Sequence, residues 1–310
     1  MEWRKSELKK IIFMLMVLIV GIVHGENIKY KKNKKILTSI QSVYSIAKSL
    51  TEGTNIEVYS IFDSDVSMDY GKSAFDNNEL DLSSAKDAVA VIDVAKVWHN
   101  DYLYEYARRK NIRIVEIDAS YSFSGNDYLS LSLLNYKNGD RNPYVWMSFQ
   151  NVIKMANIVS DDLSELFPED SKRIEDNLEK FSQEIKKIEN EYLEKTLALS
   201  SLSVITLTEN LDYLFNDLNI FFNYVDSNEI TVEKISEVMK RNNSKIFVSD
   251  RWIKKEIINE IEKKGGKFLV LDNFNIPREL NEKMDPDGYL KGMKENMEKL
   301  VEAMKIMDKK

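Results

Sequence analysis

The sequence predicts an α/β protein of two lobes, each with a parallel sheet flanked by helices, the lobes being joined by one long, rigid helix. Three observations predict it. Short apolar runs alternate with amphipathic helical stretches in both halves, the pattern of a sheet covered on both faces. A charged stretch from Ser171 to Lys195, with a narrow apolar seam, separates the halves. Only 10 Gly and 4 Pro occur in 310 residues, which favours long helices and short connections.

The first half opens on a polar, lysine-rich lead-in from Glu26 to Lys35. Ile36 to Ser39 reads as a strand, and Val43, Ile46, Ala47 and Leu50 follow at helical spacing. Ile56 to Phe62 alternates as a strand does, and a polar loop runs from Asp63 to Asp76. A short helix is expected over Leu80 to Lys86 and a buried strand over Ala88 to Ile92. A helix over Asn100 to Lys110 leads to a strand over Ile112 to Ile117. A loop from Asp118 to Asn142 ends this half, and a helix from Asn151 to Leu166 stops near Pro168, as the residue before proline resists helical geometry. The helix from Ser171 places Ile174, Leu178, Phe181, Ile185 and Ile188 on one stripe.

The second half repeats the order of elements without repeating the sequence. Strands are expected at Leu202 to Leu207, Ile220 to Val225, Lys245 to Val248 and Lys267 to Leu271. Helices are expected at Leu211 to Leu218, Val232 to Arg241, Ile253 to Lys264 and Tyr289 to Met307. The division that follows is a signal peptide at 1–25, a first lobe at 26–170, a linking helix at 171–198 and a second lobe at 199–310. Strand C-terminal ends of two such lobes face the gap between them, so a ligand cleft is expected there.

Composition narrows the chemistry. The chain has no Cys and two His, so disulfides, thiol nucleophiles and cysteine metal knuckles are excluded. Net charge is -7 with no long basic stripe, which argues against nucleic acid as a partner. Arg4, Lys5, Lys9 and Lys10 precede an apolar run from Ile11 to Val23, too short for the roughly 20 residues of a stable span. A cleavable export signal is the expectation, with cleavage before Glu26, and an uncleaved anchor is the alternative. With no Cys after the run a lipid anchor is excluded, and the periplasm is the expected compartment. Cleavage removes His24 and leaves His99, which reads as a surface residue. No GxSxG, HExxH or phosphate-cradling glycine loop is present, so the chain is not expected to be an enzyme. Asp161 and Asp162 read as a solvated helical face, and Tyr102, Tyr104 and Tyr106 scatter over several helix faces. The loop Ser120 to Asp127 either lines a cleft entrance or is ordinary surface.

One segment carries more. Asn142-Pro143-Tyr144-Val145-Trp146 resembles the Asn-Pro-His-(Val/Phe/Ile)-Trp motif of the zinc and manganese ABC-transporter solute-binding proteins (TroA-like, cluster A-I). Asn151, the helix ending at Phe167-Pro168-Glu169, and the charged helix from Ser171 fit the same family. So do Met68-Asp69-Tyr70, which resembles its His-(Asp/Glu)-Tyr-Glu loop, and Leu271-Asp272, Tyr289-Leu290 and Asn296 near the end. The resemblance covers essentially all of the mature chain. It implies a monomeric binding protein that delivers a metal or metal-bearing solute to an ABC permease.

It also implies a ligand set that this chain has altered. The family's metal-holding positions become Met68, Tyr144, Thr208 and Asp272, with Glu209 able to stand in for Thr208. Only Asp272 keeps the family's residue. Zinc is held by Cys, His and carboxylate, whereas a neutral phenol is a poor ligand for a divalent ion and a thioether prefers monovalent copper. Two readings stay open. Tyr144 and Met68 fill the space of a lost metal, or the ligand has changed, to ferric iron held by Tyr144 with Asp272 and Glu209 or to a haem or organic chelate against Tyr144 and Met68. The functions to match are import of a metal or metal-bearing solute, or an interaction or adhesion scaffold that no longer binds metal.

Overall fold

A computed structural model describes residues 34–308 apart from 63–66, 78–79, 81, 124–126 and 282. The expected signal segment, with His24 and the cleavage point before Glu26, lies outside the described residues. Four short strands make the first sheet: β1 (Lys35–Thr38), β2 (Glu57–Ser60), β3 (Ala90–Asp93) and β4 (Val115–Asp118). Their order is β2-β1-β3-β4 and every pairing is parallel. Ile36 and Leu37 are both fully buried, as expected of a parallel strand covered on both faces. Helices α1 (Gln41–Leu50), α2 (Gly71–Asp76) and α3 (Leu103–Lys110) belong to this lobe.

Two long helices come next, α4 (Phe149–Leu166) and α5 (Ser171–Thr196). The Ser148 hydroxyl caps α4 by accepting from Asn151 N–H at 3.1 Å. α5 buries Ile174, Phe181, Ile185, Ile188 and Tyr192 along one side. Full burial of each aliphatic or aromatic side chain stabilises by about 1.5–3 kcal/mol, whereas its exposed Lys172–Asp176 and Lys195–Glu191 pairs contribute little. Near its start, Asn177 Nδ2 donates to Leu50 O at 3.0 Å and Glu52 O at 2.8 Å in the first lobe. Near its end, the Tyr192 hydroxyl meets Met304 Sδ at 3.6 Å. The helix thus spans from one lobe to the other.

The second sheet comprises β5 (Ser203–Thr206), β6 (Phe221–Tyr224), β7 (Ile246–Ser249) and β8 (Lys267–Val270), with α6 (Asp212–Asp217), α7 (Ile235–Asn242) and α8 (Lys255–Lys263). Its order, β6-β5-β7-β8, again all parallel, repeats the first sheet's topology. A small hairpin, β9 (Glu279–Leu280) with β10 (Lys283–Met284), precedes the closing helix α9 (Gly288–Asp308). Alternate strand residues divide between cores. Ile36, Val204 and Val248 join one continuous core shared with α4, α5 and α9, while Leu37 and Val91 pack on the far side of the first sheet. Ile205 and Phe247 do the same for the second sheet.

Some boundaries differ from the sequence pattern. The stretch 63–76, polar by composition, contains a 3-10 turn at Met68–Tyr70 and α2, because Ala74 and Phe75 are buried. Phe75 meets Phe62 at 5.8 Å and Tyr106 at 4.9 Å between ring centroids. The segment expected to be a helix at 80–86 forms a 3-10 turn at Leu82–Lys86 instead. The end of the chain does not stay in the second lobe. Gln41 on α1 donates to Asp285 O at 2.8 Å and accepts from Arg278 N at 2.7 Å, and the Tyr289 hydroxyl donates to Trp146 O at 2.7 Å.

Candidate functional site

The segments just past β2, β5, β7 and β8 meet in the gap between the lobes, and one turn organises them. Asn296 on α9 grips the backbone of Asp272 at two points, accepting from its N–H and donating to its carbonyl, both at 2.8 Å. Asp272 Oδ1 then accepts from Phe274 N at 2.8 Å. Phe274 sits at φ +64°, a left-handed conformation that costs a bulky residue on the order of 1–3 kcal/mol. Its ring is 1% exposed and packs on Tyr289 at 4.8 Å. Gly292 makes room for it, since a Cβ there would lie 2.5 Å from Phe274 Cε1. Holding Phe274 inward turns Asn273 and Asn275, on either side of it, toward the cleft.

Each asparagine takes a carboxylate, one from each lobe. Asn275 Nδ2 donates to Asp69 Oδ2 at 2.8 Å, and Asn273 Nδ2 donates to Asp250 Oδ2 at 2.9 Å. Asn275 also accepts from Ser67 Oγ at 2.9 Å and Asp69 N at 3.3 Å on its side chain, and from Met68 N at 2.8 Å on its carbonyl. The two lobes are therefore linked by direct protein hydrogen bonds. Trp146, fully buried, adds Nε1–H to Asn273 O at 2.9 Å.

Asp250 is the most heavily bonded acid in the cleft. Its Oδ2 accepts from Thr208 Oγ1 at 3.2 Å and Asn210 Nδ2 at 2.6 Å besides Asn273. Its Oδ1 is buried with no hydrogen-bond donor, and Arg251 Nε stands 3.5 Å away on a side chain that is 79% exposed. The Tyr136 hydroxyl donates to Asn210 Oδ1 at 2.8 Å. Tyr144 is 4% exposed with its ring 5.3 Å from that of Trp146. Burial first, then the nearby Asp69, Tyr136 and Asp250, raises its phenol far above the ordinary value, and Arg251 opposes the shift. Tyr136 is raised by burial, Asp69, Asp250 and Glu209. A cleft of about 450 Å³, lined by Tyr136, Thr208, Glu209, Asn210, Tyr224 and Arg251, opens this network to solvent.

The five positions expected at the site divide accordingly. Thr208 is bonded into the network through Asp250, whereas Tyr144 is buried against Trp146, its backbone N–H bonded to Asn142 Oδ1 at 3.0 Å. Met68 is 2% exposed, its side chain in the shared core and its backbone N–H on Asn275. Glu209 accepts from Lys137 N at 2.8 Å, and its carbonyl accepts from Asn142 Nδ2 at 2.8 Å. Asp272 turns toward Phe274 N and Arg278, which is 3.5 Å from its Oδ2. Among the described residues no three His, Cys, Asp or Glu side chains are grouped so as to hold a metal ion. The donors present do not fit a tetrahedral zinc site of nitrogen, sulfur and carboxylate.

Asp69, Asp250, Asn273, Asn275 and Tyr136 were not singled out by sequence. Asp250 had a usable signal, because it directly follows the buried strand Ile246–Ser249 and polar residues there face the crevice. The Asn pair had none, since its placement depends on Phe274 adopting a left-handed backbone. His99 sits outside this network, and among the described residues no helix is long and apolar enough to cross a membrane.

Comparison with known proteins gives one family and many structures. The family model of ZnuA, the periplasmic component A of a zinc-uptake complex, matches residues 36–303. A mutant of FpvC from Pseudomonas aeruginosa superposes with a TM-score of 0.71 at 16% identity, covering 87% of this chain and 99% of that one. ZnuA itself gives 0.65 at 16% identity, with 87% and 98% covered. The zinc-bound ZnuA-like domain of AdcA from Streptococcus pneumoniae gives 0.65 at 18% identity, with 88% and 99% covered. At such identities the likeness establishes the bilobal fold. No curated protein sequence matches the chain.

Proposed function

We propose, because this chain belongs to the family of periplasmic zinc-uptake component A proteins, that it is the solute-binding component of an ABC importer. Its cargo is a metal ion or a metal-bearing solute, held in the interlobe cleft and delivered to a membrane permease. It is exported by a cleavable signal, works in the periplasm as a monomer without a lipid anchor, and catalyses no reaction. The single observation that carries this reading is the convergence of segments from both lobes on one polar network around Asp250 and the Asn273–Asn275 turn. Binding between lobes lets cargo shift an open–closed equilibrium, which is what a permease can sense.

A second reading has its own support. The direct bonds from Asn275 to Ser67, Met68 and Asp69 close the lobes on each other, so a scaffold that has lost its metal and serves as an interaction or adhesion protein would also hold this shape. Elemental analysis of the mature protein from its own periplasm, with an absorbance spectrum, separates the two. Stoichiometric metal or a chromophore, lost on Asp250→Ala, is the result expected of a transporter component. Protein that stays empty after exposure to zinc, manganese and iron would refute that role.

A further inference from the structure

The first lobe has a second pole, at the opposite ends of its strands from the cleft. Strands β1, β3 and β4 begin there, tied by Val89 N–H to Lys35 O at 2.8 Å and Val115 N–H to Val89 O at 2.9 Å. Helix α3 ends at this pole, and its C-cap Asn111 donates from Nδ2 to Ala88 O at 2.8 Å. Around that tie Arg108, Arg109, Lys110 and Arg113 are exposed, as is Lys86 just before Ala88 in the chain. The nearby acids are few and engaged. Glu105 pairs with Arg109, Asp87 with Lys35 and Asp76 with Lys72, while Glu116 on β4 is partly buried. Among the described residues Lys110 and Arg113 have no ion pair. A chain of net charge -7 therefore gathers cations at one end of one lobe. The helix dipole accounts for basic residues in the last turn of α3, but not for Arg113 beyond the helix or Lys86 on another segment.

Amid these cations Ile112 is 80% exposed, and Val115 at the start of β4 is 42% exposed. One exposed aliphatic is ordinary surface; one ringed by unpaired cations has the make-up of a membrane-surface contact. Two of the guanidinium groups rest on tyrosines. Arg108 Nη1 donates to the Tyr104 hydroxyl at 2.7 Å, and Arg109 lies 4.2 Å from the Tyr106 ring centroid. A guanidinium has five donors, so each keeps N–H groups for an outside acceptor.

We infer that this pole docks on the anionic headgroups of a phospholipid bilayer, Lys86, Arg108, Arg109, Lys110 and Arg113 taking phosphates while Ile112 enters the headgroup layer. The cluster is too compact to track a nucleic-acid backbone, and Ile112 has no counterpart in a row of phosphates. Docking by this pole leaves the cleft open, because the cleft lies at the other ends of the same strands. The surface does not depend on what the cleft holds. Where the transport reading holds, it keeps a binding protein without a lipid anchor beside the membrane of its permease.

The test is co-sedimentation of the mature chain with vesicles of equal parts phosphatidylglycerol and phosphatidylcholine, and with vesicles of phosphatidylcholine alone. Binding to the first, released by added salt, and none to the second is the expected result. A cation near an anionic surface is worth roughly fivefold in affinity, so Lys110→Gln with Arg113→Gln should weaken binding roughly twenty-five-fold. Both positions are exposed, and the variant should melt at the wild-type temperature. Ile112→Ser keeps every charge and should weaken binding roughly tenfold, as expected for returning an isoleucine to water. Lys240→Gln with Lys245→Gln removes the same charge from exposed positions of the second lobe and should change nothing. No binding to the anionic vesicles would overturn the inference, as would equal losses from the two double variants. Retention on polyglutamate with no vesicle binding would assign the pole to an acidic protein and overturn it too. None of these outcomes bears on the cargo, which elemental analysis tests separately.

Discussion

Raising the pH should destabilise the first lobe, and Asp93→Asn should reduce that sensitivity by the share that Asp93 itself contributes. Three aspartates lie at the C-terminal ends of β3 and β4 and in the turn between β3 and α3: Asp93, Asp118 and Asp101, each at most 5% exposed. Asp101 accepts from Ser39 Oγ at 2.7 Å and Val94 N at 3.2 Å, and Asp118 from Lys96 N at 2.7 Å. Asp93 has only a 3.5 Å contact from Ala95 N to Oδ1, and its Oδ2 is buried without a partner. Burial pushes all three carboxyls up, and Asp101 and Asp118 add to the rise at Asp93. Asp101 rises from 3.8 to about 6. A folded pKa above the unfolded one means that the folded state holds the proton more tightly. The associated stability is complete below about pH 4 and is lost as pH rises through 6. Roughly two units correspond to about 3 kcal/mol at Asp101 alone. Asp93→Asn keeps the shape, removes one buried charge and supplies a donor to its neighbours. Urea unfolding followed by far-ultraviolet circular dichroism should find the variant more stable than wild type by about 1–3 kcal/mol at pH 7.5, with the difference vanishing near pH 4. A variant less stable by the same amount at both pH values would refute the reasoning.

Three further perturbations follow from the same contacts. Asn275→Ala deletes three cross-lobe side-chain hydrogen bonds, each worth about 0.5–1.5 kcal/mol, so small-angle scattering should record a more open molecule; an unchanged radius of gyration would count against the latch. Gly292→Ala forces a Cβ to within 2.5 Å of Phe274 and 2.7 Å of Arg278; it should cost about 1–3 kcal/mol in thermal unfolding and weaken cleft binding through a shifted Asn273–Asn275 turn. Trp146→Phe leaves Asn273 O unpaired in a buried setting, and calorimetry should show a loss of about 1–3 kcal/mol.

The fold was legible because burial wrote it into the pattern. The eight sheet strands are short apolar runs, and α5 declares itself by a stripe of Ile and Phe on a Glu- and Lys-rich helix. Short elements under polar sequence were less so. α2 forms because two residues, Ala74 and Phe75, find a pocket, and no period can be read from two residues. The site was legible only in its backbone. Asn142-Pro143-Tyr144 marked the cleft, and Asn142 does bridge it, bonding Tyr144 N at 3.0 Å and Glu209 O at 2.8 Å. Side-chain direction was not legible. Asp272 and Asn273 are adjacent, and the turn at Phe274 sends the acid to Arg278 and the amide to Asp250. Asp69 was within the quoted motif, one residue from the position that attention fell on, because the motif's first residue rather than its second is the ligand in the family it resembles.

The most direct test of the account is anomalous diffraction at the zinc, manganese and iron edges from crystals of the mature chain grown with each ion. A single anomalous peak in the interlobe cleft, beside the Asp250 network, is the predicted result. A cleft without a peak, or a peak bound only to surface carboxylates, would contradict it.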